Sequence, residues 1–121
     1  MQYLLFICTE PGIGPDPSRD MAAETDAWVE EMDRRGIRLR GDQLRPPSDA
    51  TTVRVRDGET LLTDGPFAET REQIAGFDLI ACDSLDEAID VAAKHPVASF
   101  GIVEVRPLMF DLTDLPQTSS R

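Results

Sequence analysis

The chain has 121 residues, with 12 Lys and Arg against 23 Asp and Glu, a formal net charge of −11. That length fits one domain with a full core, and 40% hydrophobic with 29% charged residues is ordinary globular composition. So acidic a surface repels phosphate backbones and anionic bilayers, which argues against nucleic-acid and membrane partners and makes a basic protein surface the fitting macromolecular partner.

The N-terminus opens Met1-Gln2 without a basic region, and the apolar run Tyr3 to Cys8 is too short for a signal core or a membrane span. The cytoplasm is the expected location. Residues 2–9, QYLLFICT, predict a strand with Tyr3, Leu5 and Ile7 on one face and Leu4, Phe6 and Cys8 on the other. Both faces are apolar, so the strand is expected to be central and covered on both sides. Residues 10–18, EPGIGPDPS, read as a loop. From Arg19 to Arg35 the spacing of Met21, Trp28, Val29 and Met32 predicts a helix with one buried face, and Gly36 ends it.

A second strand is expected over 37–44, ahead of Pro46-Pro47. Two alternating runs then flank Asp57-Gly58, a hairpin signal that sets Arg56 opposite Glu59 and Val53 opposite Leu62. After the charged stretch 63–77, GFDLIAC at 76–82 predicts a strand. Ser84 and Glu87 form a capping box for a helix that carries Leu85, Ala88, Ile89 and Ala92 and ends near His95, before Pro96. GIVEVRP at 101–107 is the last strand, and 111–121 form a tail. Cys8 and Cys82 both fall in apolar runs and read as small buried hydrophobes, without the spacing of a zinc site.

The order strand, helix, strand, hairpin, strand, helix, strand predicts an α+β fold, a ferredoxin-like split βαβ sandwich with an inserted hairpin. Its two helices can cover only one face of the sheet. The other apolar face is expected to meet a second copy of the chain, as a homodimer with facing sheets; a tail folded over that face is the alternative.

Asp64-Gly65-Pro66-Phe67, continued by Glu69, Arg71-Glu72, Gly76-Phe77, Ser84 to Ala88, Pro96 and Glu104-Val105-Arg106-Pro107, resembles the YCII-related family, and more narrowly the branch named after its DGPF motif. The resemblance spans Tyr3 to Pro107, and residues 1–110 are read as its domain. It implies a dimeric ferredoxin-like α+β barrel with a cleft on the inner faces of the sheets, and an association with extracytoplasmic-function sigma factors. Another branch includes a dehydrochlorinase acting on a chlorinated hydroxyquinone, with a dyad of a histidine on the first helix and an aspartate before a helix-ending proline. This chain has His95 at the aspartate's place and no histidine over 19–35, so that dyad does not carry over.

The candidate site residues follow from chemistry and position. Gly65 and Pro66 shape a turn that fixes Asp64 and Phe67. Either these two line a cleft rimmed by Glu69, Arg71 and Glu72, or Phe67 fills the core and Asp64 accepts turn N–H groups. His95, the lone histidine, ends a helix whose dipole favours its protonated form; it reads as a general acid or base or a binder of an anionic ligand, with Asp64 the other catalytic candidate, or as a capping cation. Glu104 and Arg106 share a strand face with Ile102, where they could form an ion pair in a dimer cleft and offer Arg106 to a carboxylate, or lie solvated on an edge strand. No P-loop, GxGxxG or GxSxG is present, so no cofactor and no metal are expected. Two functions compete: a cofactor-free lyase-like or proton-transfer enzyme acting on a small molecule, and a non-catalytic ligand-binding or regulatory module.

Overall fold

The computed structural model describes residues 1–65 and 73–112. In β1, Gln2–Thr9, burial alternates: Tyr3, Leu5 and Ile7 are buried and the residues between them half-buried. The buried set meets Trp28, Val29 and Met32 of α1, Met21–Arg34, whose first turn is capped by Asp20 accepting from the Ala23 N–H at 3.1 Å. Ala88, Val91 and Ala92 of α2, Leu85–Ala93, complete the core with Ile37, Ile80 and Val97. The Trp28 indole N–H donates to the Val91 carbonyl at 3.1 Å and ties the two helices together.

β2 spans Arg38–Gln43, β5 Gln73–Ala81 and β6 Ile102–Pro107. With β1 they form one antiparallel sheet in the order β2-β5-β1-β6. β3, Thr51–Arg56, and β4, Glu59–Asp64, form a second, two-stranded sheet. The described residues thus make a mixed α+β fold of two α-helices and six antiparallel strands in two sheets, with no helix long and apolar enough to cross a membrane. Short 3-10 turns at Pro47–Asp49 and Pro96–Ser99 were not foreseen from the sequence.

The hairpin has its expected register, Arg56 opposite Glu59 and Val53 opposite Leu62, and both turn residues have positive φ, 51° at Asp57 and 78° at Gly58. Its relation to the body was not readable. The ribbon stands out as an arm, with Val53 59%, Val55 59% and Leu62 68% exposed. The capping box of α2 is present with one shift: Ser84 accepts from the Glu87 N–H, while Glu87 accepts from the Asp83 N–H rather than that of Ser84. β5 starts three residues earlier than its apolar run suggests, because its first residues continue the pairing with Cys8 and Thr9.

β2 carries a bulge between Arg38 and Arg40. Strict alternation would set 38, 40 and 42 on one face; the bulge turns Arg38 into the helix-side interior and leaves Arg40 and Asp42 on the opposite face. Arg38 is 2% exposed, donates from Nε to Asp78 Oδ1 at 2.8 Å and lies 3.5 Å from Asp33. A Cβ at Gly41 would stand 2.1 Å from that Asp78 oxygen and 2.7 Å from the Phe77 carbonyl, so glycine is required by close approach. Among the described residues no helix lies over the second face of the sheet. The tail runs beside the start of β1, where the Gln2 side chain both donates to and accepts from the Leu112 backbone; residues 113–121, on which the tail alternative rests, lie outside the described residues.

Candidate functional site

On the face away from the helices, the strand register arranges side chains in rows across the sheet. Arg40, Leu79, Leu4 and Arg106 make one row, and Asp42, Phe77, Phe6 and Glu104 the next. Ile74, Cys8 and Ile102 make a third. Leu79 is buried at the centre without joining the helix-side core, and Leu4, Phe6, Cys8 and Phe77 are half-buried. The middle of this face is therefore apolar, and its charges stand on the two edge strands. Arg106 pairs with Glu104 and sets its guanidinium 5.5 Å from the centre of the Phe6 ring, so the cation covers part of the apolar surface. Glu104 and Arg106 share this face with Ile102, as their spacing requires.

At the end of the face a crevice of about 220 Å³ opens between the ends of β1, β2 and β5, lined among others by Thr9, Gln43, Arg45, Pro46, Gln73 and Ile74. Arg45 donates to Asp49 at 2.8 Å on its rim. Phe67, Glu69, Arg71 and Glu72 lie outside the described residues, between Gly65 at the root of the arm and Gln73 at the crevice. Asp64 ends β4 opposite Thr51 and is exposed. Gly65 next to it has a φ of +90°, a conformation that disfavours any residue with a Cβ, and its N–H donates to the Ala50 carbonyl at 2.7 Å.

His95 lies on the other side of the sheet. It is 5% exposed, its ring meets Trp28 edge-on at 4.8 Å, and its Nδ1 accepts from the Val97 N–H at 3.1 Å. Burial pushes its pKa down to about 4. The expected protonated capping cation is corrected on this point. Losing water costs the imidazolium more than the helix dipole returns, and the neutral ring instead caps the 3-10 turn that follows as an acceptor. No hydrogen bond joins His95 to Asp64; one sits in the helix-side core and the other at the root of the arm. The structure brings together Glu104 and Arg106 and separates these two.

The sequence reading missed Arg40 and Asp42 as face residues, and the buried Arg38–Asp78 pair, because a single-residue bulge decides both. Gly41, three residues after Arg38 on the same strand, is the one signal that could have pointed to a close approach there. Cys8 and Cys82 form no disulfide; Cys82 is buried, and desolvation is the main cause that raises its pKa to about 11. Among the described residues no group of three or more His, Cys, Asp or Glu side chains is placed to hold a metal ion.

Residues 1–110 match the YCII-related domain family. The chain belongs to that family. A similar protein is an uncharacterized protein of Rhizobium meliloti (strain 1021), 46% identical, with 69% of this chain and 82% of that protein covered. The features of this YCII-related domain that bear on function are the apolar rows left uncovered by its helices and the crevice at their end. Such a surface can take another sheet or a flat apolar molecule, with edge charges to orient either one.

Proposed function

We propose that this YCII-related protein, of the DGPF-motif branch, is a homodimeric small-molecule-binding module. Its sheet, with ferredoxin-like strand order, faces that of a second copy as in an α+β barrel, and the ligand sits in the cleft between them. The uncovered rows around Leu4, Phe6, Phe77 and Leu79 carry the reading: apolar surface of that extent beside edge charges marks an interface or a ligand groove. Arg106 offers its guanidinium to a carboxylate on the ligand, with Glu104 holding it in place.

Catalysis through His95 and Asp64 is the weaker reading. A general acid or base must reach its substrate, and His95 is buried behind the sheet with its Nδ1 engaged. A regulatory role beside a sigma factor is the partner-side form of the binding reading, in which a basic surface meets this acidic one.

Sedimentation equilibrium at micromolar concentration is expected to find dimers of the wild-type chain and monomers of Phe6→Asp, with the monomeric variant still folded by circular dichroism. Thermal-shift screening with small carboxylic acids is expected to raise the melting temperature of the wild type and not of Arg106→Ala. A wild-type chain that sediments only as a monomer removes the reading.

A further inference from the structure

The edge charges of the open face are ordered, and their order restricts how a second copy can lie on it. β2 presents Arg40 in the first row and Asp42 in the second; β6 presents Arg106 in the first and Glu104 in the second. Each edge therefore reads basic, then acidic, in the same direction along the sheet. A two-fold axis parallel to the strands would exchange the edges within each row, setting Arg106 over Arg40 and Glu104 over Asp42. Both contacts are repulsive. An axis across the strands but centred on either row would set that row's charges over their own copies and leave the other row without its counterpart. An axis across the strands and midway between the two rows sets every cation over an anion.

We infer that the second copy is related by that axis, so that Arg106 and Arg40 of one chain meet the partner's Glu104 and the partner's Asp42, and the partner's carboxylates complete the rim of the cleft. The inference rests on the proposed face-to-face homodimer and adds its symmetry, its register and the residues supplied in trans. The apolar centre agrees with it. The same operation lays Leu4 over the partner's Phe6 and Leu79 over the partner's Phe77, each a small side chain against a large one. Sheet twist does not spoil the match. With strands about 4.8 Å apart the edge strands stand roughly 7 Å from the midline, and a crossing angle of about 30° displaces them by roughly 4 Å, which arginine and glutamate side chains can span.

Two exchange-of-charge variants test the axis. Glu104→Arg makes the β6 edge wholly basic, and Arg106→Glu makes it wholly acidic. Each alone is expected to weaken the dimer at least tenfold in Kd, and an equimolar mixture is expected to regain wild-type affinity as a heterodimer, measured by sedimentation with one chain fluorescently labelled. Recovery on mixing also shows that neither variant failed to fold, since both positions are exposed. With the axis parallel to the strands, the guanidinium introduced by Glu104→Arg would face the partner's Asp42, so that this variant alone would tighten; that result overturns the inference. Unchanged affinities, or weakening without recovery on mixing, overturn it as well. A monomeric wild type instead removes the homodimer itself, and the two failures are distinguishable.

Discussion

His95 shows how much of a residue's chemistry is set by what packs on it. Its place in the sequence, after an apolar helix and before Pro96, identifies it as a helix-terminal residue; nothing in that pattern says that Trp28, 67 positions away, will press against its ring. Burial lowers the folded-state pKa to about 4, below the usual value near 6.5. The unfolded chain therefore binds more protons than the folded one between these values. Stability is full above pH 6.5, falls as pH drops through the window and has lost this contribution near pH 4, by at most about 3 kcal/mol at roughly 1.4 kcal/mol per unit. Urea midpoints measured from pH 8 to 5 are expected to decline below pH 6.5 in the wild type and to stay level in His95→Gln down to pH 5, where carboxylates begin to contribute. A level wild-type profile would contradict a buried neutral imidazole. Glu104 and Arg106 were legible because two residues apart on a regular strand means one face. Arg38 was not, because the bulge beside it breaks that rule.

Elements with strong local signals came through with small shifts. Ser84 and Glu87 start α2, and Asp57-Gly58 folds the hairpin in its expected register. These features depend on neighbours in sequence, which is why sequence alone reveals them. The placement of the hairpin depends on long-range packing that its composition does not encode. Alternation of Val53, Val55 and Leu62 with polar residues reads the same whether the ribbon lies on a core or projects from it. Its core-facing candidates are exposed, and the Gly65 to Ala50 hydrogen bond closes its root next to the Thr51–Asp64 pair. A two-stranded ribbon without a core to lie on is marginal in water. Its amides are expected to exchange with solvent at least ~30-fold faster than those of β1 and β5, a difference of about 2 kcal/mol in opening free energy. Hydrogen–deuterium exchange followed by mass spectrometry resolves the two. Equal protection would mean that something outside the single chain covers the arm.

At the scale of the molecule, two features of the sequence act against each other. The apolar rows of β1 and β5 favour association, while a charge of −11 on each chain opposes it. The opposition acts at long range and is set by ionic strength. The Debye length is about 30 Å at 0.01 M salt, comparable to a small domain, and about 8 Å at 0.15 M. The proposed cross-pairs between Arg106, Arg40 and the partner's acids would act at short range, and exposed pairs are worth only about 0.2–1 kcal/mol each. Screening therefore removes more repulsion than attraction. The proposed homodimer is expected to tighten as salt rises from 0.01 to 0.15 M, chiefly through a faster association rate, which stopped-flow mixing of labelled chains would follow. The Glu104→Arg and Arg106→Glu pair is expected to respond nearly as the wild type does, since a charge change of +2 on one chain and −2 on the other gives −9 and −13, whose product, 117, is only slightly below 121. Wild-type association that weakens steadily with salt would mean that local pairs, and not the net charge, govern the encounter.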